Sequence, residues 1–321
     1  VESVPGLLSP SRLNTILKCS LSGLYDHGGN RAYFSVGVNQ FALLGNVIHD
    51  VFKSANHGHI DSDESFSQIW HSSEEKHLPG GLKNIVPNYG KIKYSIRKRL
   101  VKCRPNGSSS RENGYYGIPE KMIEDKEHGV KGQPDLVSFR EHSPYEIKDY
   151  KTGEVFEHIM LEPGNDPLDR NFDEIKEGFK NQLHLYAFLV NRKYGSYPRF
   201  LTVVTTSGEE ITTNCEPEKV DLLMDMIGSC KIRMQTGAAE DLAAPSLSNC
   251  KFCPFKPGCK WRYNNYNDTF GDIEGFVSDV QFPSYGNFTL HLQNGKQLFH
   301  KLPFEGSHAQ LREIIRKEVF I

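Results

Sequence analysis

The sequence contains no apolar run approaching the roughly 18–20 residues that a bilayer span requires, and its first residues do not read as a signal peptide. A soluble, cytoplasmic protein with no membrane partner is the expectation. Charge of neither sign dominates: 38 Lys and Arg stand against 40 Asp and Glu, for a net charge of −2. No global field draws the chain to nucleic acid, so any such binding must come from local patches. A Gly-x-x-x-x-Gly-Lys-Ser/Thr loop is also missing, which excludes a nucleotide-driven motor and assigns any unwinding to a partner helicase. Apolar residues make up only 37%, yet they recur throughout the 321 positions. That is enough for one large domain, or for one domain with a small addition. Seven cysteines in a cytosolic chain argue against a disulfide framework and for metal ligation or reactive thiols.

What is present alternates between helix and strand. Ser9-Pro10-Ser11 predicts a helix start, and apolar spacing at Phe41, Leu44, Ile48, Val51 and Phe52 predicts a second helix over 39–55. Residues 60–104 read as mostly helical and end in the basic run Lys91 to Arg104. Strands are predicted at 115–124, 129–139 and 144–152, followed by a loop to 172. A long helix capped by Asn171 or Asp173 follows, then a strand from Arg199 to Thr205 and a helix over 216–236. Strands at 273–282, 287–293 and 297–302, with a turn at Asn294-Gly295 and a closing helix from Gln310 to Val319, suggest a separate unit. The division expected is a main domain over 1–265 and a small β-rich appended domain over 266–321.

Chemistry concentrates between Gly132 and Gly153. Two strand-like runs joined by a polar turn carry Asp135 on the first and Asp149-Tyr150-Lys151 on the second. Residues two apart share a strand face, so Asp149 and Lys151 point the same way. Two acids beside an amine are what a divalent ion and an attacking water need at a phosphodiester. An acid-x-Lys pair alone is usually just a solvated sheet face. A second pair, Glu146-Ile-Lys148, lies three residues earlier and therefore on the opposite face, so only one pair can serve Asp135. Lys-Thr-Gly directly after Asp149 favours the later pair. Upstream, Gly45 and His49 share a helical face, and downstream Gln182 and Tyr186 do the same.

The order Gly-x-x-x-His, Pro-Asp, Asp-x-Lys-Thr-Gly, Gln-x-x-x-Tyr resembles the RecB-like branch of the PD-(D/E)XK nuclease superfamily. The resemblance implies an α/β, restriction-endonuclease-like fold with a mixed central sheet flanked by helices. It implies Mg²⁺ or Mn²⁺ held by His49, Asp135, Asp149 and the Tyr150 carbonyl, with Lys151 as catalytic lysine. Gln182 and Tyr186 match the accessory motif of that branch, and Glu120 matches a weaker upstream acid. The implied activity is metal-dependent hydrolysis of DNA, as an exonuclease or flap and end processor on single strands. A catalytically silent DNA-binding or scaffolding subunit is the alternative.

Cys250, Cys253 and Cys259 place three thiols within ten residues, a spacing suited to a metal or cluster that lacks its fourth ligand. Cys103, Cys215 and Cys230 are candidates. Cys19 resembles the N-terminal cysteine of the iron–sulfur subset of RecB-like nucleases, which includes AddB and the nuclease of CRISPR-adaptation modules. By that resemblance Cys19, Cys250, Cys253 and Cys259 hold a [4Fe–4S] cluster, with Zn²⁺ as the alternative. In the basic run, Arg97, Lys98 and Arg99 offer phosphate contacts and Tyr94 a stacking surface.

Overall fold

The computed structural model of the protein describes residues 6–27, 40–78, 83, 86, 88–102, 115–157, 171–206, 209–250, 253, 255–256, 259–262, 274–284, 287–292, 297–301 and 318–320. Helices α1 (Pro10–Lys18) and α2 (Ser20–His27) open the chain, followed by α3 (Gln40–Asn56), α4 (Asp63–His77) and α5 (Tyr89–Lys102). Ser9 occupies the cap of α1 with Pro10 in its first turn, although its hydroxyl makes no capping bond. Five strands form the central sheet: β1 (Tyr115–Pro119), β4 (Leu136–Arg140), β5 (Ser143–Lys151), β6 (Phe200–Thr205) and β7 (Glu210–Asn214). Their order is β1-β4-β5-β6-β7. Only β5 and β6 run parallel, because α6 (Glu177–Tyr194) supplies the long crossover between them. The mixed α/β sheet flanked by helices agrees with the expected fold class.

Each face of the sheet buries its own core. Ile147, Leu201 and Val203 face α1, α6 and α7 (Pro217–Thr236) in one cluster. Tyr150 and Val204 face α3, α4 and α5 in the other. The alternation of odd and even positions along β5 and β6 thus decides which helix layer each residue meets.

Several boundaries differ from the sequence expectation, each for a physical reason. The strand expected over 129–139 is two strands, β3 (Val130–Gly132) and β4. Pro134 has no N–H for a ladder, and β3 pairs instead with β2 (Ile123–Asp125). The strand expected over 115–124 likewise breaks after β1, where Glu120 takes a left-handed φ of 43°. The helix expected from Asn171 or Asp173 starts at Glu177 instead. Residues ahead of it are committed to the chain at 155–157, through a Phe156–Ile175 bridge and the Lys176 N–H on the Val155 carbonyl at 3.0 Å. Asn171 caps only a short 3₁₀ turn, Phe172–Glu174. Strand β7 had no sequence expectation.

In the C-terminal segment β8 (Glu274–Ser284), β9 (Asn287–Leu292), β10 (Gln297–Lys301) and β11 (Glu318–Phe320) make a four-stranded sheet in the order β10-β9-β8-β11. Val319 was expected in a helix. It pairs with Gly275 as a strand. The Asn294-Gly295 turn, residues 310–317 of that helix, and Cys103 lie outside the described residues. Among the described residues, no helix is long and apolar enough to cross a membrane.

Candidate active site

Four segments meet at the C-terminal end of β5. Asp135 immediately precedes β4, and Leu136 is registered against Lys148. One further step along that antiparallel register sets Asp135 opposite Asp149. The Tyr150 N–H donates to Asp135 Oδ2 at 2.7 Å, so main chain fixes this carboxylate. From α3, His49 Nδ1 lies 3.5 Å from Asp135 Oδ1. One turn earlier, Gly45 lies close to the strand end, where an added Cβ would come 3.2 Å from Thr152 Oγ1. The close neighbour is thus a side chain rather than a backbone. The Tyr150 ring stacks on Phe52 of α3 at 4.2 Å and 5°, clamping the strand end to the helix.

Gln182 of α6 joins the remaining groups. Lys151 Nζ donates to its Oε1 at 2.7 Å, while its Nε2 donates to Asp149 Oδ1 at 3.0 Å and to Tyr186 Oη at 2.8 Å. Tyr186 can lie over β3 only because residue 132 is glycine: a Cβ there would sit 2.6 Å from the ring. Lys151 Nζ also lies 4.7 Å from the Phe179 ring centroid, a cation–π contact that helps aim it. Phe179 was not among the residues singled out by sequence, although it precedes Gln182 by three and so shares its helical face.

Glu146 and Lys148 occupy the other face. Thr202 Oγ1 donates to Glu146 Oε1 at 2.6 Å and Lys148 Nζ donates to Glu210 Oε2 at 2.8 Å. Neither touches Asp135.

Burial dominates the electrostatics of the strand end. Asp149 is 1% exposed, and its Oδ2 is buried with no hydrogen-bond partner. Lys151 Nζ stands 2.5 Å from that oxygen as an ion pair, so the ammonium is its counter-charge. Burial pushes the Asp149 carboxyl up to about 6, against the pull of Lys151 and with the push of the Asp135 charge. His49 is raised by its hydrogen bond to Asp135. Burial likewise holds the Tyr186 phenol well above its ordinary range.

A buried carboxylate paired with a lysine, a second carboxylate across the ladder and an imidazole make a donor set that suits Mg²⁺ or Mn²⁺. The three are near but not closed: their ligand atoms do not all fall within 4.8 Å of one another. Among the described residues, Asp125, Glu127 and His128 at the β2–β3 turn do meet that spacing. There Arg192 pairs with Asp125 at 2.8 Å and also with Glu127, and the His128 N–H donates to Asp125 at 2.8 Å. Those oxygens are already used in bracing α6 on the turn.

Proton and cation compete for Asp149. Mn²⁺ affinity is expected to fall with falling pH, first as His49, raised above its ordinary range, takes a proton, and more steeply below about 6, where Asp149 does so too. Isothermal titration between about pH 5 and 8 measures this, and a flat profile would contradict it. The stability of the metal-free protein runs the other way. The folded value lies above the unfolded 3.8, so this group favours folding at low pH. That contribution, on the order of 3 kcal/mol, is lost as pH rises through about 6.

Four cysteines gather around one cavity. Cys19 ends α1, where its extended φ of −155° separates α1 from α2. Cys253 N donates to Cys250 O, Lys256 N to Cys253 O and Cys259 N to Lys256 O, each at 3.2 Å. These bonds link Cys250, Cys253 and Cys259 in succession. With Cys19 they line a single cavity walled by Tyr25 and Phe255. Ser22 Oγ lies 3.7 Å from Cys253 Sγ, and Asn249 Nδ2 ties its segment to the end of α1 by donating to Lys18 O at 2.9 Å, with a local bond to Ala244 O at 3.0 Å. Cys230 is buried in the α7 core, and neither it nor Cys215 lines this cavity. No three of the sulfurs fall within 4.8 Å of one another, whereas tetrahedral zinc at a Zn–S distance of about 2.3 Å needs sulfurs roughly 3.8 Å apart.

The basic run is less available than its sequence suggests. Arg97 grips Asp63 with two bonds at 2.8 and 2.6 Å, and Arg99 turns inward onto the Thr205 carbonyl at 3.2 Å. Tyr94 is 63% exposed and Lys98 is exposed, so these two face solvent on α5.

The profile of the PD-(D/E)XK nuclease superfamily matches residues 7–260. The chain belongs to that superfamily, and the match takes in the strand-end constellation and all four clustered cysteines. Among solved structures, similarity is found to a Eubacterium rectale protein provisionally named an exonuclease. It shows 13% identity and a TM-score of 0.47 over 82% of this chain and 91% of that one. The protein SSO0001 shows 14% identity and a TM-score of 0.36 over 82% and 89%. No curated protein matches the sequence.

Proposed function

We propose that the protein is a Mg²⁺- or Mn²⁺-dependent deoxyribonuclease of the RecB-like branch, acting on single-stranded ends or flaps. The observation that carries the reading is the joining of Asp149, Lys151 and Tyr186 through one glutamine, beside Asp135 and His49 at one strand end. His49, Asp135, Asp149 and the Tyr150 carbonyl would hold the ion. Bound there, it would polarise the phosphate and generate a water nucleophile near neutral pH. Lys151, aimed by Gln182 and Phe179, orients that water or stabilises charge building on the phosphoryl oxygens. Gln182 and Tyr186 keep the lysine and the carboxylate in fixed relation. Tyr94 and Lys98 of α5 supply outlying contacts to base and phosphate, with Arg97 and Arg99 joining only if they leave their present partners.

Cys19, Cys250, Cys253 and Cys259 are assigned to a structural [4Fe–4S] cluster. That all four line one cavity supports a shared centre. We assign the segment over 266–321 to a separate β-rich module, and unwinding to a partner helicase or another subunit in the cytoplasm. A silent scaffolding subunit is disfavoured, because every acid and the lysine are in place.

The test is an end-labelled single-stranded oligonucleotide incubated with protein and Mn²⁺ or Mg²⁺. Shortening from an end that stops on adding EDTA is expected. An intact oligonucleotide under both metals, with binding retained, would sink the nuclease reading and favour the scaffold.

A further inference from the structure

We propose that Lys53 is a phosphate-positioning residue of this site, held on Glu120 in the absence of nucleic acid and engaging the backbone phosphate beside the scissile bond when a strand is bound. The proposal rests on the nuclease reading above and extends it. Lys53 follows His49 by four residues on α3, so both project from one helical face toward the strand end. His49 reaches Asp135, and Lys53 Nζ reaches Glu120 Oε2 at 2.5 Å. The two acids are themselves linked, since the Glu120 N–H donates to the Asp135 carbonyl at 3.2 Å. Glu120 is therefore part of the same constellation, not a distant surface acid.

Three details favour a substrate role over a purely internal ion pair. Glu120 has a 14% exposed side chain and Lys53 a 47% exposed one, which puts the ammonium on the solvent side, where a strand would arrive. Glu120 is held inward by its left-handed backbone, φ 43°, and by Gln133 Nε2 donating at 3.3 Å. A non-glycine residue in that region costs on the order of 1–3 kcal/mol; the acid is fixed by its backbone, while the lysine is a half-exposed side chain.

The third detail is charge. Asp135, Asp149 and Glu120 together repel a polyanion. Lys151, the partner of Asp149, has a 13% exposed side chain and is committed to Gln182. Among the described residues, Lys53 is the other lysine paired with these carboxylates. An incoming phosphate needs such a cation, and a charge-assisted bond to it would replace the one to Glu120.

The experiment measures cleavage of a single-stranded oligonucleotide with Mn²⁺, and its binding with Ca²⁺ at several salt concentrations, for Lys53→Gln, Lys53→Arg, Glu120→Gln and the Lys53→Gln/Glu120→Gln pair. Lys53→Gln is expected to raise KM about tenfold, the value of one charge-assisted phosphate contact, with kcat within about twofold. The slope of log affinity against log salt should fall by about 0.7, one single-strand phosphate. Lys53→Arg should restore both. The double variant should bind as weakly as Lys53→Gln alone. Recovery in the double variant would mean that Lys53 only neutralises Glu120, and an unchanged KM and slope in Lys53→Gln would equally overturn the proposal. If wild type neither binds nor cleaves, the nuclease reading itself fails, a result distinct from either of these.

Discussion

Lys151→Ala is expected to slow metal-dependent cleavage by about 10³-fold, and Asp149→Ala by at least as much, while Glu146→Ala stays within about threefold of wild type. The contrast follows from strand parity. Asp149 and Lys151 face α6 and are joined by Gln182 at 3.0 and 2.7 Å. Glu146 faces the other layer, where its carboxylate accepts from Thr202 at 2.6 Å. Loss of the ammonium strips Asp149 of its counter-charge but leaves the backbone bond that orients Asp135. Asp149→Asn separates function from folding. It removes a buried carboxylate whose ionisation is opposed by burial, so the metal-free fold should be no less stable while cleavage is lost. Initial rates with Mn²⁺ and melting temperatures with and without metal check both halves. Active Lys151→Ala and Asp149→Ala beside a dead Glu146→Ala would reverse the assignment of the two faces.

Loss of a clustered cysteine should have the largest effect on stability. Cys19 and Cys250 lie roughly 230 residues apart, so a centre that joins them closes almost the whole domain. Treated as a cross-link, closing a loop of that length removes about 5 kcal/mol of unfolded-state entropy. Cys253→Ser is expected to lose iron and absorbance near 400 nm and to lower the melting temperature by about 10 °C or more. Cys230→Ser, which alters a cysteine in the α7 core, should keep both iron and colour. Purified protein without iron or colour, but with stoichiometric zinc, would overturn the cluster in favour of the smaller centre. The Asn249 bond to Lys18 holds these two segments together independently of any metal, so a partial fold should survive the substitution.

How much was legible varied with the range of the interaction that decided it. The helices α1, α3 and α7 were readable because apolar spacing and Pro-led starts are local. So was the β4–β5 hairpin, whose two runs and polar turn are adjacent in sequence. The start of α6 was not, because residues 174–176 are held by backbone bonds to 155–157. The helix expected near the C-terminus failed at Val319 for the same reason: pairing with Gly275 lies more than forty residues away. Lys53 and Phe179 were within reach of helical spacing from His49 and Gln182, but nothing local distinguishes them from surface and core residues.

The sequence by itself determined the order of the candidate site residues and the opposite faces of the two acid-x-Lys pairs on β5. Both follow from a period-two backbone and from residue types that do not depend on the rest of the fold. Only the tertiary structure decided who meets whom: that Asp135 stands across from Asp149, that one glutamine joins acid, lysine and tyrosine, and that Arg97 belongs to Asp63. Those contacts are made between distant segments whose approach is set by packing, down to the missing Cβ atom of Gly132. Nothing in the neighbouring residues encodes such distances.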